Sequence, residues 1–270
     1  MRNWMIFSVF LLAGCAASTE PLDPSASPKP AAAVAAPAPV GDPVEGLRVA
    51  TRVGCNGCHG ADGGGKELWE EKGKFKLFSA NLTVKRELYD DAGIEGLLRQ
   101  GRTHDGHVAF GMPISMYQHL SDREVRDITA WLRSIPAVAN PDLKQSWFAD
   151  AVKKQIDSGT HPYSEDMLPD PGNHPSAEPP TEQLALGKHL AMTSCPECHG
   201  RDLNGYPGDT PPLIVAKAYS AENFHRLMRT GITANGKESA SGLMTEMGRK
   251  RFPAMTDDEV TALKAYLDSR

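Results

Sequence analysis

Cys55-Asn56-Gly57-Cys58-His59-Gly60 recurs as Cys195-Pro196-Glu197-Cys198-His199-Gly200, 140 positions further on. The echo extends outward from that hexapeptide. Ile94 to Gly106 (IEGLLRQGRTHDG) matches Phe224 to Gly236 (FHRLMRTGITANG) at an offset of 130. Leu120 to Ser134 (LSDREVRDITAWLRS) matches Met255 to Ser269 (MTDDEVTALKAYLDS) at an offset of 135. Three segments in one order at nearly one spacing define two homologous globular copies rather than a solenoid of short units. Ser121 with Glu124, and Thr256 with Glu259, have the spacing of capping boxes. Behind each cap the apolar positions fall at helical intervals: Val125, Ile128, Trp131 and Leu132, then Val260, Leu263, Tyr266 and Leu267. Helical patterning also precedes each cysteine pair, through Leu47, Val49, Ala50 and Val53 and through Leu184, Leu186, Leu190 and Ala191. Neither copy shows convincing strand alternation. The expected fold is therefore all-α, with two tandem helical domains of three or four helices and long Gly-rich loops.

The chain has 270 residues, 40% hydrophobic and 23% charged, which suits two modest globular domains. A formal net charge of −5 excludes the basic footprint of a nucleic-acid-binding protein. The five cysteines are an odd number that must be accounted for. At the N-terminus, Arg2 precedes an apolar run from Trp4 to Ala13, too short to span a bilayer but laid out like a secretory signal. The run closes on Leu12-Ala13-Gly14-Cys15, which resembles the bacterial lipobox. That resemblance implies that residues 1–14 are a signal peptide and that Cys15 is lipidated, anchoring an exported protein on the periplasmic side of a membrane. Residues 15–43 then read as a Pro/Ala-rich spacer of extended chain. The domain boundaries that follow are 44–137 for the first copy and 181–270 for the second. Residues 138–180 between them read as a Pro-rich linker, with one helix expected from about Leu143 to Ile156.

Cys-x-x-Cys-His is the attachment signature of c-type haem. Two intervening residues bring both thiols onto one turn, within reach of the two porphyrin vinyl groups, and the histidine that follows becomes the proximal iron ligand. Cys55 and Cys58 with His59, and Cys195 and Cys198 with His199, would then hold two haem c groups. With Cys15 at the anchor, no cysteine remains for a disulfide. A shared zinc site would need the two pairs to converge, although each belongs to its own copy. A thioredoxin-like dithiol gives no reason for the adjacent histidine.

At these residues the chain resembles the class I c-type cytochromes in their di-haem form, over roughly 45–136 and 181–270. The shared marks are the Cys-x-x-Cys-His near each domain start and a capped C-terminal helix with an aromatic, Trp131 or Tyr266. The resemblance implies a methionine as sixth iron ligand, on the loop before that helix. In the first copy Met112-Pro113 stands nine residues before Ser121, while Met116 beside Tyr117 reads as packing. In the second copy Met244 is preferred, with Met247 as the alternative. His104, His107 and His119 read as solvated loop residues; His104 or His107 as a ligand would give a bis-histidine iron of lower potential. With His and Met on both irons, the implied function is electron transfer between redox partner proteins, such as a dehydrogenase and a respiratory acceptor, with no small-molecule substrate. The alternative is a di-haem redox enzyme such as a peroxidase, which needs a releasable distal site and an acid/base group above it.

Overall fold

A proline at its first position and Asp42 at its cap start the helix on which the first copy is built. The Asp42 carboxylate accepts the Val44 and Glu45 amides at 2.8 and 3.3 Å, and helix α1 runs Pro43–Arg52. The computed structural model describes residues 40–270; the expected signal peptide, Cys15 and the spacer up to residue 39 lie outside the described residues. After α1 the first copy continues through α2 (Cys55–His59), α3 (Leu82–Lys85), α4 (Asp91–Gln100), α5 (Ile114–Tyr117) and α6 (Asp122–Ser134). Helices α7 (Asp150–Ser158) and α8 (Ser164–Met167) lie between the copies. The second copy follows as α9 (Gln183–Ser194), α10 (Pro196–His199), α11 (Ala221–Thr230), α12 (Leu243–Lys250) and α13 (Asp257–Ser269). Both capping boxes form, Ser121 with Glu124 and Thr256 with Glu259. None of the described helices is long and apolar enough to cross a membrane.

In each copy the first long helix crosses the last. Gly46 of α1 meets α6 so closely that a Cβ there would stand 1.9 Å from the Asp127 carbonyl oxygen and 2.9 Å from Trp131 Cβ. Gly187 of α9 meets α13 in the same way, 2.0 Å from the Ala262 carbonyl oxygen and 2.7 Å from Tyr266 Cβ. Glycine at the crossing lets the backbones touch and places the aromatic over the gap. Around each crossing lies a separate apolar core. Val49, Ile94, Leu98, Met116, Ile128 and Trp131 belong to the first; Leu190, Phe224, Met228, Phe252, Leu263 and Leu267 belong to the second.

The expectation of a purely helical fold needs correction. Strands β1 (Glu67–Glu71), β2 (Phe75–Phe78) and β3 (Trp147–Phe148) form a small antiparallel sheet in the order β1-β2-β3. Gly73, at φ 79° with nothing crowding it, turns the hairpin in a conformation that suits glycine alone. Along β2, Phe75 and Leu77 point into a third apolar cluster with Val152 of α7, Phe110 and Phe148, while Lys76 faces outward. The helix expected from Leu143 begins only at Asp150, because Trp147 and Phe148 are drawn into pairing with β2. Residues 138–180 are consequently docked against the first copy rather than strung as a bare linker. The Asn81 side chain donates to the Val138 carbonyl at 2.9 Å, and the Ala149 amide donates to the Lys74 carbonyl at 2.8 Å.

The two copies join through buried charge. Arg52 of α1 pairs with Glu124 of α6 at 2.5 Å and donates to Thr193 Oγ1 of α9 at 2.7 Å. His189 of α9 meets the second Glu124 oxygen at 2.8 Å. Burial opposes the charge on Glu124, but Arg52 and His189 outweigh it and hold its carboxyl at about 2. At the outer edge Arg48 reaches Glu259 at 2.7 Å and the Ala254 carbonyl at 2.9 Å.

The crossing makes a sharp prediction. Gly46→Ala should destabilise the protein by about 3 kcal/mol, since a methyl group in backbone contact forces the helices apart. Gly96→Ala on α4, where a Cβ meets nothing within 4 Å, should instead stabilise by about 0.5–1 kcal/mol. Denaturant melts of both variants check this, and a Gly46→Ala protein as stable as its parent would show that the crossing is not critical.

Candidate functional site

Each Cys-x-x-Cys-His motif folds as one short helical turn placed directly after a long helix. The chain enters α2 through Gly54, held at φ 93°, and leaves through Gly60 at φ 85°. It enters α10 at Cys195 with Pro196 at the first helical position, and leaves through Gly200 at φ 73°. Cys55 and Cys58 are three residues apart on one turn and so share a face, as do Cys195 and Cys198. The loops after the motifs close alike: the Gly65 amide donates to the His59 carbonyl and the Gly205 amide to the His199 carbonyl, both at 2.8 Å.

The two imidazoles are oriented by backbone. His59 Nδ1 lies 2.8 Å from the Ala80 carbonyl oxygen, and His199 Nδ1 lies 2.8 Å from the Pro211 carbonyl oxygen. A carbonyl can only accept, so Nδ1 carries the proton and Nε2 is left with a free lone pair. Burial lowers the pKa of both rings, which keeps them neutral, as a metal ligand must be. Neither carbonyl was legible in the sequence, because no side-chain pattern marks it.

Each motif opens on its own apolar cavity. In the second copy a cavity of about 600 Å³ is lined by Cys195, Cys198, His199, Met244, Met247 and Phe252. That volume lies within the usual range for cofactor sites. In the first copy Cys55, His59, Met112, Tyr117, Leu98 and Trp131 line a narrower cavity of about 140 Å³. The two motifs thus serve two cavities and do not converge on one site. Burial pushes Cys55 and Cys195 up to about 12 and Cys198 up to about 11, and raises Cys58 as well. Such thiols are the reverse of the low-pKa thiolate that a dithiol redox enzyme requires. Two thiols on one turn, a neutral imidazole with a free Nε2 and an apolar wall are the set that fits a covalently held iron porphyrin. The first cavity, at about 140 Å³, must widen to admit a macrocycle.

The structure puts Met112, half-buried beside Pro113, on the first cavity, and buries Met116 in the first core. Met244 and Met247 are one helical turn apart on α12 and both face the second cavity. The reason for the ambiguity is visible. The hairpin turns Thr103–His107 and Thr233–Lys237 match at the offset of 130, and the capped helices match at 135. The eight residues of α12, against four in α5, absorb most of the difference, and both methionines lie on that longer helix. Among the described residues no other histidine lines either cavity. His104 stacks edge-on against Tyr89, His119 stands 3.8 Å from Asp170, and His189 belongs to the buried charge cluster. Sequence reasoning passed over Tyr117, Glu197 and Arg251, all of which gather at the motifs.

A family model described as cytochrome c matches residues 44–136 and, a second time, residues 184–270. No curated protein matches the chain.

Proposed function

The chain belongs to the cytochrome c family, and on that premise we propose that it is a membrane-anchored class I di-haem carrier that relays electrons on the periplasmic side of a bacterial membrane. Its two cytochrome c domains make it a di-domain electron-transfer protein. The observation that supports two haem sites is the repeated donor set, two thiols on one turn beside a neutral imidazole whose Nε2 is free. Haem iron, when bound, supplies a one-electron couple with no bond to substrate. Cys55 and Cys58 fix the group in the first domain as thioethers, and Cys195 and Cys198 do so in the second. His59 and His199 would offer Nε2 to the iron, with their rings held by the Ala80 and Pro211 carbonyls. Met112 closes the first site. Met244, with Met247 as the alternative, closes the second. The Gly242 backbone, at φ 75°, turns the chain into α12 just before Met244.

With a methionine and a histidine committed to each iron, no position would remain for substrate. The protein then takes electrons from one redox partner protein, such as a dehydrogenase, and passes them to a respiratory acceptor, without a small-molecule substrate of its own. Cys15 carries the lipid, and the Pro/Ala-rich chain that follows it tethers the domains to the membrane.

Haem content by pyridine haemochrome tests this reading. The parent should hold two haems per chain, and Cys58→Ala and Cys198→Ala should each lose one; a parent with one haem, or either variant losing both, refutes two independent sites. In the same preparations Cys15→Ser should leave the membrane fraction or fail to mature, and a parent without lipid on Cys15 removes the anchor. The oxidised spectrum decides the ligand. Met244→Ala should abolish one of two far-red Met–iron bands and lower one midpoint potential, while Met247→Ala keeps both bands. The reverse pattern transfers the role to Met247, and a high-spin iron in the parent favours the di-haem enzyme.

A further inference from the structure

Arg251 belongs to the second domain, at the end of α12, yet its guanidinium rests on the first attachment motif. A Cβ on Gly54 would stand 2.3 Å from Arg251 Cζ, and one on Gly57 would stand 3.7 Å from Nη2. On its other side Arg251 Nη1 donates to Glu197 Oε2 at 2.5 Å, and Glu197 sits between the cysteines of the second motif. The arginine side chain is 10% exposed and its Nε is buried without a partner.

The repeat makes this contact legible. Gly57 and Glu197 occupy equivalent places, one between each pair of cysteines. In one copy the place is small enough to admit a guanidinium; in the other it carries the charge that binds it. Arg251 itself corresponds to Met116, fully buried in the first core. The pair therefore exists once per molecule, not once per domain. Neighbouring packing runs the same way: α5, which carries Tyr117, lies against α10, and the turn Phe252–Ala254 lies against α1.

We propose that the Arg251–Glu197 ion pair is a shared electrostatic control point, one pair of opposite charges that sets the midpoint potentials of both redox centres together. The inference rests on the di-haem reading above. A fixed positive charge in a poorly hydrated site disfavours the more positive oxidised iron and raises its potential; a carboxylate lowers it. Because the pair abuts both motifs, each charge acts on both centres, so the balance of the two holds both potentials and removing either charge shifts both. Both residues are positioning residues, since neither is a ligand.

Spectroelectrochemical titration of the haem-loaded protein is the test, with haem content measured on every sample. Arg251→Gln should lower both midpoints, Glu197→Gln should raise both, and the double variant should return both toward the parent values. Arg251→Lys, which keeps the charge and loses the fork, should stay near the parent. Gly57 in the first motif indicates that attachment does not require an acid at this place, so Glu197→Gln is expected to mature normally. A shift confined to one haem, shifts of the same sign in both single variants, or two unmoved midpoints would overturn the proposal. A purely structural role would lower the melting temperature in Arg251→Gln and Arg251→Lys alike without opposing potential shifts. A parent without two haems would instead defeat the underlying reading, independently of how the midpoints move.

Discussion

The backbone contact between the first and last long helices of each domain is the constraint from which the rest of the molecule is laid out. Gly46 against Asp127 and Gly187 against Ala262 leave no room for a side chain. Once these helices touch, the chain that follows α1 or α9 can only turn outward from the crossing. There it forms the Cys-x-x-Cys-His turn. Trp131 and Tyr266, each lying over its glycine, tie the crossing to the C-terminal helix that walls the cavity. The two thiols and the imidazole thus take their position from a packing contact that contains none of them.

A second layer of organisation joins the domains. Glu124 serves twice: it closes the capping box of α6 by accepting the Ser121 amide at 2.8 Å, and it binds Arg52 of its own domain and His189 across the interface. A carboxylate so enclosed is costly to leave unpaired, so the three residues specify one arrangement of the domains. In that arrangement the segment before each C-terminal helix meets the attachment end of the other domain. The two motifs consequently belong to one described unit and share the Arg251–Glu197 pair.

Much of this could be read before any coordinate. The repeat, both capping boxes and the separate roles of the two cysteine pairs all follow from spacing, because helix period and thiol reach are local properties. Met116 as packing follows from its place beside Tyr117, and a methionine at Met112 facing the first motif is what the family resemblance implies. The sheet was missed although Glu71-Lys72-Gly73-Lys74 followed by the alternation Phe75-Lys76-Leu77 carries a hairpin signal. The high charge of the stretch masked an alternation of only a few residues. The linker was misjudged because proline content says that chain is extended, not whether it is docked; Phe148, Val152 and Ile156 are the apolar residues that mark docking. The carbonyls of Ala80 and Pro211, and the meeting of Arg251 with Glu197, depend on tertiary geometry that no local pattern encodes.

The central claim is that two covalently held haems work as one relay within a single chain. Flash reduction of the oxidised protein, followed at wavelengths that separate the two centres, addresses it most directly. The account predicts a first phase that depends on reductant concentration and a second, independent of protein concentration, in which the electron redistributes between the two centres. A second phase that scales with protein concentration, or two centres that are reduced without exchanging electrons, would contradict it.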